Sequence, residues 1–345
     1  MKDLVIQNGL VIDGTGAPPF NQNLAVASGK IKYLGNAGDI SSAKTWDASG
    51  KVVCPGFIDI HSHSDFPIYV DGLAQSGIRQ GLTTLVTGNC GHGPAPAPDS
   101  ELTKVVTIGF NEDWNIGLDW KTFDQYLEAL FSKGQSMNIA PLVPHGAIRL
   151  AAMGFDSREP TSTEMDVMKS LVKEAMSAGA IGLSTGLEYS PGQHANETEL
   201  VDLAKIVSLH GGCYASHIRN RGDSFLDAVQ EALNIGRYAD LPIQLSHLAP
   251  RPYAPVDALE NVLELISSAR KLGQQVGIDT FPDPWGPAHL TDLLPPWVHE
   301  GPKDIVVQRL RDPQTISSCR NYIENPTHFL LRLGSFENFF LTHSK

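Results

Sequence analysis

The sequence predicts an α/β chain. A small β-sandwich over residues 1–53 leads into a TIM-like (β/α) barrel over residues 54–345 that lacks its eighth strand. Three observations carry this expectation. The first 53 residues are short apolar runs separated by turn residues. From Val53 onward, short apolar runs alternate with longer stretches of helical spacing, the pattern of βα units around a parallel sheet. Polar residues able to do chemistry then recur where those apolar runs end.

Composition sets the outer limits. The chain has 345 residues, 41% hydrophobic and 19% charged, an ordinary globular mixture. Acidic residues outnumber basic ones 38 to 26, for a net charge of −12. Nucleic acid and anionic membrane surfaces want a basic face, so neither is an expected partner. No run is long and apolar enough to span a bilayer. The start, Met1–Ile6, lacks the apolar core and cleavage site of a signal peptide, and the expected compartment is the cytoplasm. Four cysteines without a Cys-x-x-Cys pair do not make a disulfide framework.

Within the first segment, Leu4–Gly9 and Leu10–Gly16 each end in a turn signal. Asn23–Gly35 reads as a hairpin with Ser28-Gly29 at its tip, and Thr45–Val53 as a last strand pair. The expected barrel strands are Gly56–His61, Thr83–Thr87, Ile139–Val143, Ile181–Thr185, Cys213–His217, Ile243–His247 and Gln275–Asp279. The helices expected between them include Ser162–Ala178, closed by Gly179, and Glu197–Leu209, closed by Gly211-Gly212. Asp223–Arg237 and Ala258–Leu272 carry helical apolar spacing. Functional residues of a TIM-type barrel sit at the C-terminal ends of its strands.

Those ends are where the candidate ligands fall. His61 and His63 close the first strand and, one residue apart on a strand, point the same way. Cys90 follows the second strand in Asn89-Cys90-Gly91. His217 and His247 end the fifth and sixth strands. A lone histidine is more often an ordinary hydrogen-bonded residue, and a lone buried cysteine is more often inert. Four histidines and a cysteine at the ends of four strands make a metal constellation instead. Nitrogen and sulfur donors favour zinc over magnesium or calcium, with other borderline metals left open. His92 and His145 are expected outside the metal ligands or facing solvent. Cys54, in a buried strand approach, Cys213 and Cys319 are expected to be inert.

Several of these stretches together resemble a known family. Pro55–His63 is similar to the opening motif of the amidohydrolase superfamily. Gly81–Gly91, containing Asn89-Cys90-Gly91, resembles its D-aminoacylase branch, the N-acyl-D-amino-acid deacylases, in which a cysteine replaces a bridging carbamylated lysine. Gly182–Pro191, Ser216–Arg219 and Leu290–Gly301 resemble further motifs of that branch. The resemblance implies a metal-dependent hydrolase barrel with one zinc held by Cys90, His217 and His247. A second, weaker metal position would involve His61 and His63. It implies that Tyr189 contacts the substrate carboxylate, and that the substrate is a small N-acyl-D-amino acid whose amide bond is hydrolysed.

The chain also departs from that pattern. The family's proton-shuttling aspartate, at the end of strand eight, is expected beyond Lys345, with residues 329–345 a helix-side segment before it. No confident catalytic base is therefore expected within the chain. Asp65, Asp279 and Asp283 are weak candidates, Asp65 being expected to orient a histidine and Asp283 to sit in a Pro-Asp-Pro turn. The family lysine after the strand-six histidine is replaced by Ala249, so Arg251 is the substitute cation. Arg219 and Arg221 lie near the mouth, Arg221 expected as a solvated charge. Two alternatives stay open: hydrolysis of another linear or cyclic amide, and a metal-binding but inactive fragment.

Overall fold

The computed structural model describes residues 3–34, 44–100, 103, 112–281, 294–299 and 303–325. The chain divides into two compact units, Met1–Phe57 and Ile58–Lys345. Val52–Val53, the last residues of the expected first segment, pair with Leu10–Val11.

Among its described residues the first unit has seven short strands: β1 (Leu4–Gln7), β2 (Leu10–Val11), β3 (Phe20–Asn21), β4 (Asn23–Ala27), β5 (Lys30–Leu34), β6 (Thr45–Asp47) and β7 (Val52–Val53). They form two sheets, ordered β5-β4-β1-β6 and β3-β2-β7. The predicted hairpin is β4–β5. It turns at Ser28-Gly29, where φ is 52° and 71°. Two successive positive values are what a tight two-residue hairpin of matching twist requires. Val5, Val11, Leu24 and Ala25 of these strands are buried.

The second unit is built on β8 (Phe57–Asp59), β9 (Leu82–Thr87), β10 (Asn138–Pro144), β11 (Gly182–Gly186), β12 (Cys213–His217), β13 (Ile243–Leu245) and β14 (Val276–Ile278). They form one seven-stranded sheet in simple chain order. The pairings from β9 through β14 are all parallel. Among the described residues β8 and β14 are the sheet's two edges, so the barrel is open, as the sequence predicts.

Helices lie between the strands. Thr161 caps Ser162–Ala178 in a reciprocal box with Glu164, and Gly179 ends it at φ 118°. Asn196 caps Glu197–Leu209. Both spans match expectation. The helix expected over Asp223–Arg237 runs instead over Phe225–Ala239, because Asn220 Oδ1 accepts the Gly222 and Ser224 amides and holds that stretch as a turn. Ala258–Lys271 follows it. Phe123–Ser132 and His145–Met153 are helices the sequence reading did not name. Leu183, Val143 and Leu245 of the sheet and Val172, Leu203, Val229 and Val262 of the helices are fully buried. That is the apolar layer expected of a parallel sheet under βα crossovers. Residues 326–345, Asp283 and half of the Leu290–Gly301 motif lie outside the described residues; Pro296–His299 within that motif is a short 3₁₀ turn.

Two strands stop earlier than predicted, and their histidines gain from it. β8 ends at Asp59, not His61, since the Asp59 carboxylate accepts the His61 amide at 3.1 Å. β13 ends at Leu245, not His247, since Asp279 Oδ1 accepts the His247 amide at 2.6 Å. A side-chain oxygen has taken the place of the ladder partner in both. The register levels the strand ends: Pro144 faces Ser184, Gly186 faces His217, Ser216 faces Leu245 and Leu245 faces Ile278. The residues after each strand therefore share one rim.

Candidate metal centre

At that rim Cys90 is the hub. Its Sγ lies 3.3 Å from His61 Nε2 and 3.5 Å from His247 Nε2. Two groups of donors share it. Cys90, His217 and His247 offer one donor atom each, all within 4.8 Å of one another, and His61, His63 and Cys90 do the same. The His217 and His247 rings meet edge to face at 4.3 Å, and His61 lies 5.4 Å from His63 and 5.2 Å from His247. All five predicted ligands are brought together. His61 and His63 do so from a bend beyond the strand, not from the alternation of a continuing strand.

The turn after β9 aims the thiol. Cys90 has φ 56° and ψ 27°, a left-handed conformation that L-residues adopt at a cost. Gly88 and Gly91 flank it at φ 74° and 69°. β11 approaches this turn so closely that a Cβ on Gly186 would fall 2.0 Å from the Cys90 carbonyl oxygen. Only glycine fits there. Asp65 Oδ1 accepts the Gly88 amide at 2.7 Å. The expectation that Asp65 orients a histidine is thus corrected: it opens the helix Asp65–Val70, is buried, and supports the cysteine turn.

Carboxylates fix the tautomers of two rings. His217 Nε2 lies 2.8 Å from Glu188 Oε2, and His61 Nδ1 lies 3.0 Å from Asp279 Oδ1. An ionised carboxylate only accepts, so each of these nitrogens carries the proton. The other nitrogen of each ring keeps its lone pair. For His61 that nitrogen faces Cys90; for His217 it is Nδ1, buried without a partner. His63 Nδ1 and His247 Nδ1 are likewise buried without partners. Orphaned imidazole nitrogens around a thiol, backed by carboxylates, are the arrangement that divalent metals use.

The electrostatics agree. Burial lowers His63 to about 4. Burial lowers His217 to about 4 even against Glu188. Burial, reinforced by His217, drives His247 far below the usual imidazole range. These rings are neutral near pH 7, the form that binds a metal. Burial and the Asp279 charge push the Cys90 thiol well up, so its ionisation calls for a cation. Burial alone would raise Glu188, but His217, Arg251 and Arg221 outweigh it and hold the carboxyl well below its ordinary value.

A charged cluster borders this centre. Arg251 reaches both Glu188 oxygens at 2.9 and 3.0 Å, and Arg221 lies 3.7 Å from Glu188 Oε2. The Arg251 amide donates to the Arg221 carbonyl at 2.7 Å, tying the two loops together. Arg221 is 14% exposed at its side chain, not the solvated charge expected, and its Nε is buried without an acceptor. The Tyr189 ring stands between His92 and His217, at 5.2 and 4.6 Å.

Other expectations resolve as follows. Arg219 grips Glu231 and the carbonyls of Gln193 and Ala195, holding the loop that carries Tyr189. His145 is buried against Glu199, with Arg149 on the other Glu199 oxygen, away from solvent. Cys213 is half-buried and Cys319 buried, but Cys54 is exposed, since its approach to β8 lies on the surface. Asp279 Oδ1 serves His61 and the His247 amide, while Oδ2 accepts from Gln244 at 2.8 Å. Glu188, and the double role of Asp279, were not foreseen. The signal was available: both residues sit at strand ends, where the rule that found the histidines also applies.

A parallel β/α sheet with sulfur and imidazole donors at its C-terminal rim defines a metal-site hydrolase barrel. The Amidohydro_3 model, described as the amidohydrolase family, matches residues 44–285, and the chain belongs to that family. It is 35% identical over 284 residues to an N-acyl-D-glutamate deacylase of Alcaligenes xylosoxydans xylosoxydans, covering 82% of this chain and 57% of that protein. It is 34% identical over 287 residues to a D-aminoacylase of the same organism, covering 81% and 57%. Among solved structures it is similar to the N-acyl-D-glutamate deacylase of Bordetella bronchiseptica complexed with zinc and a phosphonate inhibitor, with TM-score 0.72, 36% identity, and 82% and 59% of the two chains covered. It is also similar to a D-aminoacylase structure concerned with a binuclear metal centre, with TM-score 0.73, 33% identity and the same coverage. The chain thus spans somewhat over half the length of these relatives.

Proposed function

We propose that this chain carries the metal centre and an anion-reading wall of a zinc-dependent enzyme that hydrolyses the amide bond of N-acyl-D-amino acids. The carrying observation is the convergence of Cys90, His217 and His247 donors within 4.8 Å, with His217 backed by Glu188. The family membership and the names of the relatives support the substrate class. A zinc ion held by Cys90, His217 and His247, with a second, weaker position at His61 and His63, supplies Lewis acidity and an activated water when bound.

The chain's own residues do the rest. Glu188 and Asp279 hold His217 and His61 in the tautomer that presents a lone pair. Arg221 and Arg251 place two positive charges beside one carboxylate, leaving an excess cation for the substrate's carboxylate. Arg251 thereby takes the place left uncharged by Ala249. Tyr189 forms the adjoining wall. Among the described residues the carboxylates Asp65, Glu188 and Asp279 are each engaged: Asp65 by the Gly88 amide, Glu188 by His217 and the arginines, Asp279 by three donors. None is assigned the proton shuttle. That engagement favours, as a second reading, a chain that binds metal without turning over.

No described helix is long and apolar enough to cross a membrane. A reducing cytoplasm is the compartment this reading assigns, because it keeps Cys90 available as a thiolate ligand. The test is zinc content per chain together with hydrolysis of N-acetyl-D-glutamate, N-acetyl-D-leucine, their L forms and a cyclic imide, with and without chelator. Chelator-sensitive turnover selective for the D forms is the expected result. Zinc without turnover favours the second reading, and equal rates on D and L forms reject the substrate class.

A further inference from the structure

The left-handed Cys90 turn needs something that holds both of its ends, and the residue that does so is Ser184. It is fully buried in the middle of β11. Its hydroxyl donates to the Gly88 carbonyl and accepts the Gly91 amide, the latter at 3.0 Å. One donor and one acceptor are thereby spent on the start and the end of the four residues that present the thiol. The strand's geometry leaves this job to a small hydroxyl. Gly186, two residues on, already abuts the Cys90 carbonyl, and a Cβ on Gly91 would fall 2.6 Å from the Gly186 amide. By contrast Thr185, equally buried, turns the other way and bonds Tyr214 and Ser216.

We propose that Ser184 is a positioning residue for the metal-binding thiol. It clamps the Gly88–Gly91 turn in the left-handed form that sets Cys90 Sγ beside His61 and His247. The proposal rests on the reading of Cys90 as a metal ligand. Residues that orient a ligand affect metal affinity even though they never touch the ion.

The experiment compares the full chain with Ser184→Ala, Ser184→Thr and Thr185→Val. Zinc affinity is read by competition with a chelator, and the thiolate-to-cobalt absorption band by loading with cobalt(II). Ser184→Ala is expected to bind zinc ~10- to 100-fold more weakly and to show a diminished or shifted cobalt band. Ser184→Thr, which keeps the hydroxyl, should recover most of the affinity. Thr185→Val should bind zinc as the parent does, even where it unfolds more readily. Parental affinity and spectrum in Ser184→Ala overturn the positioning role while leaving the metal reading intact. Equal weakening in Thr185→Val overturns it too, because the effect is then general loss of packing. No zinc binding by the parent chain rejects the metal reading itself, and the proposal with it. Should Ser184→Ala fail to fold, Ser184→Cys, nearly isosteric and a poor hydrogen-bonding group, is read for zinc affinity by the same criteria.

Discussion

Asp279 and His61 are 218 residues apart and meet at 3.0 Å, joining the rim beyond β14 to that beyond β8. The same Asp279 oxygen accepts the His247 amide at 2.6 Å. One carboxylate therefore sets the ring of one donor and the backbone of another. Burial alone would raise this acid, but the hydrogen bonds from His61, the His247 amide and Gln244 outweigh it and keep it below its ordinary value. Asp279→Asn keeps the shape and removes the charge. It can also present its amide nitrogen to His61 and so invert the tautomer. Zinc affinity is expected to fall ~10- to 100-fold, measured by chelator competition. An unchanged affinity would show that the pair is incidental.

Arg221 should act on substrate binding more than on chemistry. Its Nε is buried without an acceptor, and it shares Glu188 with Arg251. A hydrogen bond to a charged group contributes about 1.5–3 kcal/mol, so Arg221→Met is expected to raise KM for an N-acyl-D-amino acid roughly ten- to a hundredfold. Little change in kcat should accompany it, as for an interaction made equally in the ground and transition states. Steady-state kinetics decide this: a fall in kcat at constant KM would remove Arg221 from carboxylate recognition.

The residues that were legible and those that were not differ for a physical reason. His61, Cys90, His217 and His247 could be read because each follows an apolar run, and parallel-barrel topology gathers strand ends whatever the loops do. Helix limits at Ser162, Gly179 and Glu197 could be read because capping is local chemistry. Arg221 could not, because its burial depends on one loop folding onto another through the Arg251 amide and Arg221 carbonyl, a non-local contact with no periodic trace. Glu188 drew no attention beside Tyr189, yet its partner is a histidine 29 residues on. The ends of β8 and β13 were overrun because apolar alternation continues past them, while the capture of the backbone amides by Asp59 and Asp279 depends on side-chain geometry.

The buried group Glu199, Arg149 and His145 should govern acid stability. The Arg149 side chain is 0% and that of Glu199 2% exposed, and Glu199 also lies 2.8 Å from His145 Nε2. Burial would raise Glu199, but His145 and Arg149 outweigh it and hold it below the ordinary carboxylate value. A carboxyl depressed on folding contributes stability that is fully present above the unfolded value. That contribution is lost as pH falls from there through the folded value. Urea midpoints measured downward from pH 6 should therefore drop more steeply in the parent than in Glu199→Gln. At neutral pH, Glu199→Ala strands a buried guanidinium and is expected to cost about 3–5 kcal/mol. Parallel pH curves for parent and Glu199→Gln would remove this group from the acid transition.

The two donor groups share Cys90 and otherwise use different histidines, so the variants should separate them. Cys90→Ala takes a donor from both groups and is expected to abolish retention of zinc through dialysis. His217→Ala and His247→Ala should do the same, because each removes a donor from the group backed by Glu188. His61→Ala and His63→Ala leave that group whole. They should retain one tightly held equivalent and lose only what a second position binds. Metal analysis after dialysis reads this directly, and thermal unfolding with and without chelator reads it independently, since an ion that binds the folded chain raises its apparent stability by mass action. Chelator should therefore lower Tm in the parent and in His63→Ala but leave Cys90→Ala unmoved. Loss of all zinc in His63→Ala would mean that the donors form one joint site, not two that meet at a common sulfur.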